Sequence, residues 1–207
     1  MLCVVSCSGY GIKRRANPFA HNGIESVSIP IFINETNLPD VSGLFSKEFI
    51  SLMSSFDGLK VVSGKSFSTD AILLGFIRTP KYRRETFTRA GQRLSTDVAP
   101  TSVGTRRKFF VTSNNRVRIE LQMILIKNPT ETDLIFLKSK LKEYSVKHSK
   151  VIFDQTFDIS GNFALEIQDR EGTEVNFTQN KGNLKRFLST LATTGAKNFK
   201  ELVLYDF

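Results

Sequence analysis

Arg116-Val117-Arg118-Ile119-Glu120-Leu121-Gln122-Met123 alternates polar and apolar side chains without a break, and Leu125 continues the apolar series. A period of two sends successive side chains to opposite faces of a strand. Val117, Ile119, Leu121, Met123 and Leu125 are thus predicted to face a core. Arg116, Arg118, Glu120 and Gln122 are predicted to face the other way. Asn128-Pro129 ends the run, because proline has no amide hydrogen for a ladder.

The neighbouring segments extend this strand into a sheet. Within Glu25 to Ile33, Val27, Ile29, Ile31 and Ile33 alternate on one face, and Pro30 predicts an edge or an outward-facing position. Leu59 to Val62 reads as a short strand, and Ala71 to Arg78, apolar on both faces, as a central one. Val151, Phe153, Gln155, Phe157 and Ile159 alternate up to Ser160-Gly161. Between strands, Val41, Leu44, Phe45, Phe49, Leu52, Met53 and Phe56 form a helical stripe, capped by Asp40 or Ser42 and stopped at Gly58. Leu184, Phe187, Leu188, Leu191, Phe199 and Leu202 mark a long final helix, weakened at Gly195. Asp133 to Val146 suits either a helix or a long strand. The expected fold is α+β: a mostly antiparallel four- to five-stranded sheet with two helices packed on one face.

A chain of 207 residues with a 40% hydrophobic fraction supports one packed domain, and 18 Phe with no Trp predict a phenylalanine-rich core. No apolar run reaches the roughly 20 residues that span a bilayer as a helix. The two cysteines, Cys3 and Cys7, lie at the start, so the remainder can form neither a disulfide scaffold nor a cysteine metal site. Val4-Val5-Ser6-Cys7 has the order of a bacterial lipobox: branched apolar residues, a small residue before the cut, then the thiol that is acylated. Residues 1–6 would then be the remnant of a signal peptide, 7–23 a lipidated tether, and 24–207 a single α+β domain with a basic insertion at about 79–108. The alternative for Cys7 is an ordinary buried thiol at the start of a strand.

The positive charge is concentrated. From Arg78 to Arg118 there are eleven basic residues against Glu85 and Asp97, so 11 − 2 = +9, equal to the net charge of the whole chain. Nine of the eleven are arginines, whose planar guanidinium holds phosphate in two-pronged fashion. Such a field attracts polyanions: nucleic acid, anionic headgroups or phosphorylated glycolipid. The alternative is a solvated face kept soluble by arginine. Residues 79–105, with Pro80, Gly91, Pro100 and Gly104, are expected to be an extended, partly irregular excursion between two strands. Tyr82, Phe87, Phe109 and Phe110 beside the arginines could stack bases, yet no nucleic-acid signature accompanies them and no nucleic acid is expected.

Catalytic chemistry finds little footing. His21 and His148 lack metal-ligand spacing, and phosphate loops, nucleophile elbows and H-E-x-x-H are absent from the sequence. Asp154 and Asp158 share a strand face and read as solvated acids. The chain is expected to be no enzyme and to need no cofactor and no metal.

Several segments together resemble one family, the lipopolysaccharide-assembly lipoproteins (LptE family). Cys7-Ser8-Gly9-Tyr10-Gly11 is similar to that family's mature N-terminus. Gly23 to Thr36, with Ile29-Pro30-Ile31-Phe32-Ile33-Asn34-Glu35-Thr36 at its end, resembles its first strand, Leu59 to Val62 and Asp70 to Ile77 its next two, and Arg116 to Leu121 the following one. Phe157 to Phe163 and the closing helix complete the order. The resemblance implies a lipoprotein anchored through Cys7 to the periplasmic face of the outer membrane. There it would plug and help assemble the lipopolysaccharide-transport β-barrel and assist delivery of lipopolysaccharide to the outer leaflet. Ser8 after the cysteine fits outer-membrane sorting. By charge and position, Arg83, Arg84, Arg93, Arg106, Arg107, Lys108, Arg116 and Arg118 are candidate contacts to lipid A phosphates. Lys181, expected in the loop before the last helix, is a further one. Two other readings remain at this point: an envelope lipoprotein that activates a cell-wall enzyme as an adaptor, and a basic nucleic-acid-binding module.

Overall fold

The computed structural model describes residues 15–80, 86–95, 109–140, 149–165 and 177–206. Its strands are β1 (Arg15–Ala16), β2 (Ser26–Ile29), β3 (Ile33–Asn34), β4 (Phe56–Asp57), β5 (Lys60–Ser63), β6 (Ala71–Arg78), β7 (Phe87–Ser95), β8 (Phe109–Lys127) and β9 (Val151–Ala164). Its helices are α1 (Val41–Met53), α2 (Glu131–Lys140) and α3 (Phe177–Asp206), preceded by a single 3-10 turn at Ala20–Asn22.

Seven strands form one open, mixed sheet in the order β5-β2-β6-β8-β7, with β3 added to β6 and β9 to β8. β5, β2 and β6 are mutually parallel, while β8 is antiparallel to β6, β7 and β9. The expected fold class is therefore right in being α+β and is corrected in its details. The sheet is mixed rather than mostly antiparallel, because α1 is the crossover that parallel β2 and β5 require. The strand-helix-strand order over residues 26–63 carries that signature.

β6 pairs with Glu120–Lys127 and β7 with Phe109–Val117, so both lie end to end along one edge of β8. β9 takes the other edge from Asn114 to Ile126. At about 3.4 Å per residue, β8 is a spine roughly 60 Å long. The excursion expected over residues 79–105 thus contains a regular strand, β7; residues 81–85 and 96–108 lie outside the described residues.

The side-chain alternation of β8 divides two cores. Val117, Ile119, Leu121, Met123 and Leu125 are fully buried against α1 and α3, as the sequence pattern requires. Phenylalanines knit this layer together: Phe32 meets Phe49 at 5.0 Å, Phe49 meets Phe199 at 5.2 Å, and Phe199 meets Phe153 edge-on at 5.4 Å. Each buried Phe contributes up to about 3 kcal/mol through removal from water. Ile72, Leu74, Phe76, Ile124 and Ile126 face the opposite side and are covered there by Leu134 of α2. Two helices on one face become three helices on two faces among the described residues. The segment at 133–146 that suited helix or strand is helical through Lys140.

Local expectations shift for identifiable reasons. Pro30 breaks the first strand, so alternation slips by one: Val27, Ile29 and Phe32 are buried, Ile33 joins the second core, and Ile31 is 73% exposed. The Ser46 hydroxyl accepts from the Phe32 amide (2.8 Å) and donates to the Ser42 carbonyl (2.8 Å), fixing the break to α1. α1 ends at Met53, and Phe56 belongs to β4 instead. Asp40 precedes α1 with φ of 56° and makes no side-chain capping bond. From Arg15 the stretch expected as a tether is packed: Arg15 and Ala16 pair with Phe56 and Asp57, and Phe19 is fully buried.

Candidate functional site

The face of the sheet turned away from α1 and α3 changes character along its length. Beyond the apolar patch under α2 lies a polar belt built from the even-numbered residues of β8. In register order Gln122 stands beside Phe76, and Glu120 beside Arg78 on β6 and Asp158 on β9. Arg118 stands beside Ser160, and Arg116 beside Asn162.

The belt is a hydrogen-bonded relay at its centre. Arg78, only 8% exposed, donates from Nε to Glu35 Oε2 at 2.9 Å and from Nη1 to Gln122 Oε1 at 2.7 Å. Gln122 Nε2 in turn donates to Asp154 Oδ1 at 2.8 Å. A nearly buried guanidinium requires such partners, since an unpaired buried charge costs several kcal/mol. Arg78 therefore holds three strand columns together. A charge at the end of a strand buried on both faces is the sequence signal for such pairing.

Toward the β7 end the partners thin out. Arg116 Nε donates to Asn162 Oδ1 at 2.9 Å on the exposed side. Arg118 Nε and Glu120 Oε1 are shielded from water and have no hydrogen-bond partner. Buried polar atoms are satisfied in the large majority of cases, so two unpartnered ones two residues apart on one strand set this stretch apart. Arg118 supplies a donor fork and Glu120 an acceptor, which suits an anionic group bearing hydroxyls better than a bare anion.

Among the sequence-predicted candidates, Arg116 and Arg118 are together on this belt. Arg93 is placed on β7, on the same edge of β8 as β6. Cys7, Arg83, Arg84, Arg106, Arg107 and Lys108 lie outside the described residues. Lys181 is exposed but sits inside α3, not in a loop, because the helix begins at Phe177. α3 covers the opposite face, so Lys181 is not part of the belt. Of the paired acids, Asp158 is exposed as expected, whereas Asp154 is half-buried and bound by Gln122. The pattern of alternation did not reveal Glu35, Gln122 and Asn162 as partners, since each comes from a different strand or from beyond a break.

Two carboxylates elsewhere are tuned by their surroundings. The Lys150 ammonium, 2.7 Å away, and the Thr130 hydroxyl hold the Asp133 carboxyl at about 2, fastening α2 to the start of β9. The Ser26 hydroxyl and the Glu25 and Ser26 amides hold Asp70 below the usual carboxylate range, closing β2 against the start of β6. Both are structural clasps. Among the described residues no cluster of three His, Cys, Asp or Glu side chains could hold a metal, and no helix is long and apolar enough to cross a membrane.

No family model matches the chain, and no curated protein matches it. Solved structures similar to it include rare lipoprotein B from Shewanella oneidensis, with TM-score 0.37 and 8% identity over 87% of this chain and 95% of that one. Lipoprotein GNA1162 from Neisseria meningitidis has TM-score 0.33 and 10% identity over 83% and 98%. The hypothetical protein CT253 from Chlamydia trachomatis has TM-score 0.39 and 12% identity over 88% and 95%. Two of these three are lipoproteins by name. At such scores the likenesses decide neither the family nor the activity of this chain.

Proposed function

We propose that this chain is a non-enzymatic lipoprotein of the outer membrane, anchored at its periplasmic face by acyl chains on Cys7. In this reading it plugs and helps assemble the lipopolysaccharide-transport β-barrel and assists delivery of lipopolysaccharide to the outer leaflet. The observation that carries the reading is the unpartnered Nε of Arg118, two residues from Arg116 on the same face of β8. It lies within a 78–118 segment that holds the whole net charge of +9. Phosphates of lipid A are the chemistry that such forks match. The lipobox-like Val4-Val5-Ser6-Cys7 supports placement in the envelope.

Expression of the Cys7→Ser chain tests the anchor. The reading expects its loss from the outer membrane and loss of acyl incorporation; full retention of the unacylated protein would count against it. Co-purification then tests the partner, with recovery of a large β-barrel as the expected result. Recovery of a cell-wall synthase instead would favour an adaptor that activates that enzyme.

A further inference from the structure

The outer edge of β9 carries no strand among the described residues, although β9 runs regularly beside β8 from Phe153 to Ala164. Which backbone groups it presents follows from the register. The Asn128 amide bonds the Asp70 carbonyl, so even-numbered residues of β8 direct their backbone toward β6. Odd-numbered residues of β8 bond β9, opposite odd-numbered residues of β9. Backbone amides and carbonyls of Thr156, Asp158, Ser160 and Asn162 therefore point outward, and all four side chains are exposed. Native edges of this kind are usually guarded by lysine, proline or a bulge. Val151–Ala164 contains no lysine, arginine or proline, and the pairing of 153–164 has no register shift.

We infer that this edge is a self-association surface, on which β9 of a second copy pairs antiparallel about a two-fold axis at Ile159. The sequence around that residue is self-complementary in this register and not in the one centred on Asp158. Centring on Ile159 sets Asp158 opposite Ser160 of the partner subunit and Thr156 opposite Asn162 of the partner subunit. Centring on Asp158 would oppose two carboxylates directly, which is destabilising. On the helix-covered face the same register lays the half-buried Phe157 across from Gly161 of the partner subunit, which adds no side chain to crowd it at the seam. Four residue pairs would exchange about eight backbone hydrogen bonds and join two open sheets into one. The symmetric arrangement closes on itself and does not propagate into fibres. It is independent of the anchor at Cys7.

Sedimentation of the full chain under reducing conditions, over a range of concentrations, reads the association directly. Three proteins suffice: wild type, Ser160→Lys, and Asp158→Lys/Ser160→Lys. In the inferred register the Ser160→Lys ammonium meets the partner's Asp158 at two symmetric places, so dimerisation should tighten about fivefold. In the double variant lysine faces lysine, and the dimer should be lost. Circular dichroism melts confirm that all three are folded; if a lysine variant unfolds, Thr156→Lys, opposite the partner's Asn162, replaces it with no expected tightening. A wild-type chain that stays monomeric throughout overturns the inference. So does a dimer that is indifferent both to Ser160→Lys and to Asp158→Lys/Ser160→Lys.

Discussion

Gly195 of α3 stands directly over Ile159 of β9: a Cβ on the glycine would lie 2.7 Å from Ile159 Cδ1, 3.2 Å from Phe45 and 3.3 Å from Leu121. Helix, crossover helix and spine strand meet at that point, and only a missing side chain lets them. Gly195→Ala should recover up to about 1 kcal/mol of helix propensity and lose about 1–3 kcal/mol to overpacking. A net destabilisation of about 1 kcal/mol is expected. Urea unfolding should show a lower midpoint with an unchanged slope. A raised midpoint would mean that α3 shifts without cost.

Gly75 of β6 is tighter still, since a Cβ there would stand 2.4 Å from the Phe32 ring. A strand paired on both edges cannot move aside, so Gly75→Ala should cost about 3 kcal/mol, more than Gly195→Ala. Phe32→Leu in the Gly75→Ala background should restore part of that loss. A double-mutant cycle in which the two effects simply add would refute the contact as the cause.

These two glycines also show which parts of the fold a sequence displays. Alternation in Arg116 to Leu125 reveals the spine strand and its buried row, because period two survives wherever one face meets a core. The stripe from Val41 and the closing helix are legible for the same reason at period 3.6. What does not show is relation between segments. Gly195 reads as a helix weakness until Ile159 is known to lie beneath it. Parallel pairing of β2, β5 and β6 depends on a crossover, not on the composition of any strand. The break at Pro30 is signalled, yet its outcome, Phe32 inward and Ile31 outward, is decided by Ser46 of α1. The site divides likewise. Arg116 and Arg118 are placed by alternation alone, whereas the role of Arg78 rests on Glu35 and Gln122 from other strands.

The clasp between Asp133 and Lys150 predicts a specific pH response. Asp133 falls from an ordinary 3.8 to about 2, so its folded form is depressed. Its contribution is present above the unfolded value and is lost as pH falls from about 4 through 2. Asp133→Asn should destabilise the protein at pH 7 by about 1 kcal/mol, a figure limited because Lys150 is 36% exposed and screened. Melting curves of the two proteins should converge as pH approaches 2. A constant gap across that window would show that Lys150 and Thr130 are not the cause.

Arg118 separates binding from folding. Its Nε is buried and unpartnered, so an apolar side chain of similar length removes a desolvation cost without breaking any bond. Arg118→Met should therefore melt at or above the wild-type temperature. Arg78 is the contrast: its bonds to Glu35 and Gln122 make Arg78→Met a loss of about 3 kcal/mol. On vesicles containing lipid A the order should reverse. Arg118→Met should weaken retention about tenfold, as loss of a charge-assisted phosphate contact does. Vesicles whose lipid A lacks phosphate should bind both proteins equally poorly. Arg118 is then retained for what it meets from outside, at some expense in stability. An Arg118→Met protein that is less stable and binds lipid A undiminished would remove the Arg118 guanidinium from the proposed function.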